Sequence, residues 1–443
     1  MVFDTLIYNG TLVTVNRQFD IIEDAVVGVK GGEIAFVGTV DKAAETTAET
    51  RIDAEGGIIM PGLVNAHTHL PMSLFRGLAD DLPLADWLNH HIFPAEQQHV
   101  RPETVVTGAL LSCAEMLLSG TTCCCDGYFY EDAVAEAVDA AGLRAVLGQG
   151  VIDFPAPGVP DPTKNVEAAR AFVDRWQGRS SLISPSIFCH SPYTCSAETL
   201  TLAKAAARDA GALFQVHVAE TRNEAEMAGI SGNDTPVAYL DRLGVLDPDT
   251  LAAHAVWVDT DDLALLADRG TGVSHNPESN MKLASGIAPV PDQIEAGIAV
   301  GLGTDGCASN NNLDMFAEMD SAAKLHKACR QEPTTMPAKT VIRMATIEGA
   351  RALGLADRVG SIEVGKAADM IVIDTKKPHL TPLYHPDSHL VYSVRGADVA
   401  HVMVAGRLLV RNRRLLSLDL DTILSDAAAV AEQIRQTDTG NIK

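Results

Sequence analysis

The feature that most restricts the fold is a repeated alternation of helical and strand-like segments. From about residue 104, Ala-rich stretches with a helical pattern alternate with short apolar runs; examples are ETVVTGALLSCAEMLLSG, GTTCCCDGY, SLISPSIFCH, AETLTLAKAAARDAG and ALFQVHVAE. This alternation is typical of a parallel sheet whose strands are connected by helices. Because it continues over about 250 residues, it favours a closed (β/α)8 barrel over an open sheet.

Both ends of the chain have a different pattern, rich in β-branched residues and in Gly and Asn turns. Strand-like stretches near the N-terminus are TLIYNGTLVTV, DAVVGVKGGEIAFVG and RIDAEGGIIMPG, and those near the C-terminus are GSIEVGKAADMIVID and VYSVRGADVAHVMVAGRLLVRN. Such stretches predict hairpins. We therefore predict an α/β protein, a TIM-like barrel with a small β-sandwich domain built from both chain ends. We expect residues 1–59 and 367–443 to form the small domain, with a C-terminal helix and a frayed tail, and 60–366 to form the barrel.

The net charge and the hydropathy of the chain argue against certain binding partners and against insertion into a membrane. The 443-residue chain carries a net charge of -24, which argues against nucleic acid or an anionic membrane because polyphosphates need a positive face. It has no run of about 18 apolar residues, so we expect no membrane span. The N-terminal MVFDTLIYNG has no basic stretch followed by an apolar core, so we expect no signal peptide.

The eight cysteines include no Cys-x-x-Cys pair, and Cys123, Cys124 and Cys125 follow one another directly. Neighbouring residues on a strand point to opposite faces, so these three thiols cannot converge on one metal ion. We expect them to be small apolar residues of a buried strand in a reduced, cytoplasmic protein.

Polar side chains follow many of the predicted strands. They are His67 and His69, His190, His217 with Glu220, His254, His275 and Asp305. In a barrel of this kind the chemistry lies at the C-terminal ends of the strands. His67 and His69 are two residues apart, so both can face the barrel axis. A third histidine and a carboxylate from other strands could complete a metal site with an open position, as catalytic Zn²⁺ requires.

Five motifs together resemble the amidohydrolase superfamily over essentially the whole chain: PGLVNAHTHL, HVAET, AAH, VSHNPESNMKL and GLGTDGCASNNNLDMFAEM. Within it, the chain looks most similar to the 5'-methylthioadenosine/S-adenosylhomocysteine deaminase family. The resemblance implies that His67, His69, His217 and Asp305 bind one divalent metal ion per subunit, Zn²⁺ first and Fe²⁺ or Mn²⁺ as alternatives. SIFCHSPYT has no lysine where binuclear members carry a carboxylated one, which favours a single ion. A homo-oligomer, dimer or tetramer, is also implied.

The resemblance further implies hydrolytic deamination at C6 of an adenine ring. In that chemistry Glu220 donates a proton to a ring nitrogen, His254 orients the attacking water, and Asp305 passes a proton from water to the leaving ammonia. Glu96 is expected to accept hydrogen bonds from the ribose hydroxyls, since a carboxylate suits a vicinal diol. The further residues expected to contact substrate are His190, Trp87, Ser309 and Gln149, with packing and loop hydrogen bonds as the alternative role for Trp87 and Ser309.

The substrate preference rests on Gln149. It stands where relatives that accept S-adenosylhomocysteine carry an arginine, and Lys164 is the only cation of the segment LGQGVIDFPAPGVPDPTKN. An arginine binds a carboxylate through two hydrogen bonds, so its loss is costly. We therefore expect 5'-methylthioadenosine or an adenosine-like nucleoside as the substrate in preference to S-adenosylhomocysteine, unless an arginine comes from elsewhere in the chain or from a neighbouring subunit.

Two other functions stay open. Another amino- or chloro-heterocycle hydrolase, of the guanine, pterin or triazine type, would share the metal site. Glu96 and Glu220 together favour a ribosylated purine, because a free base has no diol. A non-catalytic scaffold protein would have lost the ligands that are all present here. A cytidine-deaminase type of zinc site is excluded, because the chain has no Pro-Cys-x-x-Cys.

Overall fold

The strands form two sheets. The structure, a computed structural model, describes residues 2–40, 47–230 and 234–438. The strands are β1 Val2–Val13, β2 Ile21–Lys30, β3 Glu33–Thr39, β4 Thr47–Asp53, β5 Ile58–Pro61, β6 Leu63–Thr68, β7 Thr121–Tyr128, β8 Arg144–Val151, β9 Ile183–Cys189, β10 Leu213–Val218, β11 Thr250–His254, β12 Gly272–His275, β13 Val300–Leu302, β14 Met370–Ile373, β15 Val399–Val404, β16 Arg407–Arg411 and β17 Arg414–Leu415.

Most of the helices connect the strands from β6 to β13 or directly follow β13. They are α1 Leu84–Trp87, α2 Phe93–His99, α3 Pro102–Ser119, α4 Glu131–Ala141, α5 Asn165–Trp176, α6 Ala197–Ala210, α7 Glu224–Met227, α8 Pro236–Arg242, α9 Thr260–Arg269, α10 Pro277–Lys282, α11 Val290–Glu295, α12 Cys307–Asn310, α13 Met315–Arg330, α14 Ala338–Met344, α15 Ile347–Ala352, α16 Pro386–Tyr392 and α17 Leu420–Asp438. Short 3-10 turns occur at Leu70–Phe75, Pro162–Lys164, Pro378–Leu380 and Gly396–Asp398, and a π-helical turn at Leu88–Ile92.

Strands β6 to β13 form an eight-stranded parallel sheet in chain order. Past the end of β13, the backbone N–H of Asp305 donates to the carbonyl oxygen of His67 in β6, at 2.9 Å. This bond joins the last strand to the first and nearly closes the barrel. The predicted (β/α)8 architecture is confirmed, and it places the C-terminal ends of all eight strands around one opening.

The three consecutive cysteines of β7 show which way its side chains point. Cys123 and Cys125 pack inside the barrel beside Val64 and Val146, whereas Cys124 packs outward in the cluster that contains the surrounding helices. All three are buried and unpaired. The alternation agrees with the prediction that they cannot bind one metal ion together.

The other sheet is built from both ends of the chain, in the order β17-β16-β15-β14-β5-β1-β2-β3, with β4 paired to β1. Val27 and Ile34 from one half meet Met370 and Met403 from the other half in a single apolar cluster, so the sheet packs on itself as a sandwich. The next residue along a strand points to the opposite face of the sheet. Ile371, which follows Met370, packs in the cluster formed by the barrel and its helices. The predicted β-sandwich is therefore confirmed.

The boundaries of the domains stay a prediction. They were placed at 59/60 and 366/367, and the structure has β5 ending at Pro61 and β14 beginning at Met370. The predicted C-terminal helix is α17, which packs against α3 of the barrel. The predicted tail lies outside the described residues. Among the described helices, none has the length and apolar character needed to cross a membrane.

Candidate active site

Four side chains converge at the C-terminal end of the barrel. His67 and His69 come from the end of β6, His217 from β10, and Asp305 follows β13. The Nε2 atoms of His67 and His217 are 3.1 Å apart. Oδ1 of Asp305 lies 3.3 Å from Nε2 of His69 and 3.6 Å from Nε2 of His67. Ligand atoms around a tetrahedral zinc ion with bonds of 2.0–2.1 Å are about 3.3 Å apart, so these separations suit one ion.

The orientation of two rings is fixed by hydrogen bonds on the side away from the cluster. Nδ1 of His69 lies 2.7 Å from the carbonyl oxygen of Gly127, to which it donates. Nδ1 of His254, at the end of β11, lies 2.9 Å from Oδ1 of Asn280. The contact at Nδ1 directs Nε2 of each ring toward the cavity, which is the orientation of a metal-binding or water-orienting histidine.

Asp305 is held in a conformation that few residues adopt. Its φ is +61°, and the N–H of Gly306 donates to Oδ1 at 2.8 Å. The hydroxyls of Ser279 and Ser309 donate to Oδ2 at 2.7 and 2.9 Å. Two residues earlier, a Cβ on Gly303 would stand 2.8 Å from the backbone nitrogen of His67, so the GLGTDG segment needs glycine to approach β6.

The electrostatics of the cluster favour a bound cation. Burial lowers the pKa of His67 to about 4 and that of His217 well below its usual value, so both rings are neutral and can act as ligands. Burial alone would raise the pKa of Asp305, but hydrogen bonds from His67 and His69 outweigh it and hold the pKa far below its usual range. The ionised Asp305 in turn raises the pKa of His69 to about 9, against the effect of burial. A divalent ion would satisfy the same negative charge.

Glu220 stands beside this cluster. Its Oε2 lies 4.0 Å from Nε2 of His254, and burial raises its pKa. The backbone before it is strained, because Ala219 has a φ of +52°. The N–H groups of Ala219 and Glu220 each donate to one carboxylate oxygen of the fully buried Glu224, both at 2.8 Å. Glu224 therefore fixes the loop that presents Glu220.

A narrow inner cavity of about 70 Å³ opens from the cluster. The predicted site residues that line it are His69, Trp87, Glu96, His190, His217, Glu220, His254, Asp305 and Ser309. Most of the remaining wall is apolar and includes Phe93, Phe129 and Phe188. A cavity with apolar walls and a few convergent polar groups is the usual form of a small-molecule site.

Glu96 lies in α2. It is buried, and the hydroxyl of Tyr128 donates to its Oε1 at 2.6 Å. Burial raises its pKa to about 7. The indole of Trp87 donates to the carbonyl oxygen of Ala79 at 3.1 Å, which fixes the ring in the cavity wall.

His190 follows β9, with its Nδ1 2.9 Å from Oγ1 of Thr194. Burial lowers the pKa of His190 to about 3, so its ring is neutral.

A wider outer chamber of about 720 Å³ continues from the inner cavity. The two share part of their walls, including Phe93, Glu96 and Phe129. We use the name outer chamber for the space bounded by these shared residues, by residues 154–157, and by residues 221–223 with Met227. The two spaces therefore adjoin each other at these shared residues.

Gln149 does not join the site. On β8 it alternates with Gly150, which lines the inner cavity, so the side chain of Gln149 points the other way. Its Oε1 accepts the backbone N–H of Glu131 at the start of α4, 3.1 Å away. The expectation that Gln149 contacts substrate is therefore corrected: its amide serves to anchor a helix. Lys164 is also remote from both cavities and pairs with Glu167 at the surface.

His275 is the other predicted strand-end residue that stays outside the cluster. It is buried at the end of β12, and its Nε2 lies 3.2 Å from Nε2 of His326 in α13.

Sequence patterns missed Glu224, Ser279, Asn280 and Tyr128, each of which holds a site residue in place. Two features of the sequence could have drawn attention to them: the spacing Glu220-x-x-x-Glu224 and the polar segment SHNPESN. Neither feature shows whether the side chains point toward the site.

Comparisons with known proteins give a consistent result. The sequence profile of the Amidohydrolase family matches residues 58–409. The chain is similar to 5-methylthioadenosine/S-adenosylhomocysteine deaminase of Syntrophobacter fumaroxidans, with 47% identity over 433 residues that cover 98% of each chain. It is 46% identical to 5'-deoxyadenosine deaminase of Methanosarcina acetivorans, covering 97% of this chain and 98% of the relative. Among solved structures, an adenosine deaminase from Xanthomonas campestris with bound zinc has a TM-score of 0.95 and 38% identity, covering 98% of this chain and 99% of that one.

The metal cluster can be tested by removing one ligand. We expect His217→Ala to purify with much less than the roughly one divalent ion per chain of the unchanged protein, because three remaining ligands bind more weakly than four. Elemental analysis of the dialysed protein measures this. The matched control is His385→Ala, which changes an exposed histidine directly before α16. Full metal content in His217→Ala would show that the ion is held elsewhere.

The support that Glu224 gives to Glu220 can be tested separately. In Glu224→Gln one of the two backbone N–H groups faces an amide NH₂ instead of an oxygen, at a cost of about 1–3 kcal/mol. We expect kcat to fall about tenfold or more while the metal content is kept, because the Glu220 loop relaxes. The control is Glu226→Gln, an exposed residue on the same helix. An unchanged kcat in Glu224→Gln would contradict this role.

Proposed function

The chain belongs to the amidohydrolase family, and on that premise we propose that it removes the 6-amino group of a 5'-substituted adenosine by hydrolysis, giving ammonia and the inosine analogue. The leading substrate is 5'-methylthioadenosine, with S-adenosylhomocysteine, 5'-deoxyadenosine and adenosine as related candidates. One observation carries the proposal: a single cavity holds a proton donor, Glu220, beside the metal cluster, and a buried carboxylate, Glu96, that suits a ribose diol.

The cofactor is a single divalent metal ion, for which zinc is the best fit to three imidazoles and one carboxylate. We assign the ligands as His67, His69, His217 and Asp305. When bound, the ion lowers the pKa of a water molecule from 15.7 to about 7 and so supplies the nucleophile at neutral pH.

Glu220 is the residue that makes the adenine ring electrophilic. A ring nitrogen must gain a proton before C6 accepts a nucleophile, and burial raises the pKa of Glu220, the direction that suits a proton donor. The bonds to Glu224 keep the carboxyl on the cavity side of the loop. Glu220 therefore acts as the ring acid.

Asp305 and His254 handle the protons on the other side of C6. Asp305, whose carboxylate faces His67 and His69, takes a proton from water and passes it to the departing ammonia. His254, with Nδ1 bonded to Asn280, presents Nε2 as an acceptor that orients the attacking water. Opposite pKa shifts thus divide acid and base work between Glu220 and Asp305.

The remaining contacts orient the nucleoside. Glu96, which already accepts one hydrogen bond from Tyr128, has lone pairs left for the ribose hydroxyls. His190 and Trp87 line the same cavity, which supports the proposal that His190 contacts the nucleoside and Trp87 covers the purine. Ser309 donates a hydrogen bond to Asp305 and holds its carboxylate. A guanine, pterin or triazine hydrolase would have no use for a buried diol acceptor, and a non-catalytic scaffold would have no use for the complete ligand set.

We also propose that the enzyme works in the cytoplasm as a homodimer or homotetramer, with neither nucleic acid nor a membrane as a partner. All eight cysteines are unpaired, which suits a reducing compartment. The net charge of -24 repels polyphosphates and anionic membranes.

The test of the function is a substrate panel with the metal-loaded enzyme. We expect loss of the adenosine absorbance and release of ammonia with 5'-methylthioadenosine, and no turnover of guanine. Glu220→Gln should keep its metal ion but lose turnover by a factor of about 10² or more, because an amide cannot protonate the ring. A metal-loaded enzyme that deaminates no adenosine derivative would refute the function, and an active Glu220→Gln would refute the role of Glu220.

The pKa of Glu96 predicts how substrate binding depends on pH. Burial raises this pKa to about 7, so the carboxylate that accepts both ribose hydroxyls is present above about pH 7 and is lost below it. We expect KM for 5'-methylthioadenosine to fall severalfold as the pH rises from about 6 to about 8. Glu96→Gln should have a high KM without this dependence, and Glu103→Gln, an exposed residue of α3, should keep it. The same pH dependence in Glu96→Gln would assign it to another group.

A further inference from the structure

We propose that the outer chamber is the subsite for the 5'-substituent and that Arg222 determines its specificity, by binding the carboxylate of a 5'-thioether that carries an amino acid. This inference rests on the proposed function and deepens it. It assigns to this chain a cationic contact that its sequence seemed to lack at residue 149.

The position of the chamber follows from the order of groups along the cavity. The 6-amino group of the adenine must lie at the metal cluster, and Glu96, which borders both the inner cavity and the outer chamber, is the contact for the ribose. The 5'-carbon lies on the far side of the ribose from the base. A substituent at this carbon therefore points into the outer chamber, whose volume of about 720 Å³ exceeds what a methylthio group occupies.

Much of the chamber wall is apolar. Its apolar residues include Phe93, Phe129, Ile152, Phe154 and Met227. Thioether carbons gain about 25 cal/mol for each Å² of surface that they bury, and sulfur packs well against aromatic rings. The wall thus accepts the part of the substituent that 5'-methylthioadenosine and S-adenosylhomocysteine have in common.

The rim of the chamber carries one guanidinium. Arg222 is the only Lys or Arg among the described residues that line either cavity. Its side chain is exposed, and within the described part of the chain no carboxylate lies within ion-pair distance of it. The guanidinium carbon lies 5.5 Å from the centre of the Trp257 ring, which steadies the side chain without using its hydrogen bonds.

The neighbours of Arg222 suit an anionic group. Thr221 and Asn223 also line the chamber and add a hydroxyl and an amide donor. In a protein with a net charge of -24, an unpaired guanidinium at the mouth of an otherwise apolar chamber is a local attraction for a carboxylate. Because Arg222 follows Glu220 by two residues, one loop presents both the ring acid and the contact for the substituent.

The experiment compares three substrates with the metal-loaded full-length enzyme. The substrates are 5'-methylthioadenosine, S-adenosylhomocysteine and the methyl ester of S-adenosylhomocysteine, which keeps the chain length and loses the negative charge. The variants are Arg222→Met, which keeps the apolar stem, and Arg222→Lys, which keeps the charge. Arg170→Met removes a surface arginine of α5 and is the matched control.

We expect Arg222→Met to lower kcat/KM for S-adenosylhomocysteine by about 10- to 100-fold, the usual effect of losing a charge-assisted hydrogen bond. Values for 5'-methylthioadenosine and the ester should stay within about twofold, and Arg222→Lys should recover part of the loss. Added salt should raise KM for S-adenosylhomocysteine more than for the ester.

Three results would overturn the inference. Equal losses with all three substrates would show that Arg222 only supports the loop of Glu220. An unchanged kcat/KM for S-adenosylhomocysteine in Arg222→Met would show that another group binds the carboxylate. An unsubstituted enzyme that accepts 5'-methylthioadenosine but not S-adenosylhomocysteine would show that Arg222 does not bind the carboxylate. An unchanged enzyme that deaminates none of the three would instead refute the proposed function and the inference together.

Discussion

The arrangement of the site depends on Asp305, which links the end of the barrel to its beginning. Its backbone N–H bonds to His67 on the first barrel strand, and its carboxylate faces His67 and His69. Two serine hydroxyls complete its surroundings. The same residue therefore both joins the last barrel strand to the first and brings a carboxylate to the histidines. The left-handed backbone at Asp305 is the local cost of meeting both requirements.

Two carboxyl groups that share one cavity have opposite acidities because their neighbours differ. Asp305 receives hydrogen bonds from imidazoles and hydroxyls, which stabilise its ionised form. Glu220 is buried and stands 4.0 Å from a single imidazole nitrogen, so desolvation dominates and raises its pKa. Chain topology produces this difference: Asp305 lies where two strands meet, whereas Glu220 projects from a loop that Glu224 holds from behind.

The sequence predicted the parts of the site that obey simple periodicities. The barrel followed from strand–helix alternation, and His67 and His69 from their spacing of two on a strand. The same rule, applied to β8, places Gln149 and Gly150 on opposite faces and would have excluded Gln149 from the cavity. Arg222 and Glu224 could not be found in this way. Arg222 lies in the loop after β10 and Glu224 begins the short helix α7, and the path of this segment depends on side-chain bonds formed only in the folded chain.

The sheet that joins both chain ends has a consequence for how the protein is made. Strand β5 pairs with β14. The hydrogen bonds between these two strands can form only after Met370–Ile373 have been synthesised. During synthesis the ribosome releases the whole barrel in between, and the first strands emerge with an open edge. Contacts this distant in sequence also slow folding. All eight barrel strands are thus synthesised before β5 can pair with its partner strand from the other end of the chain.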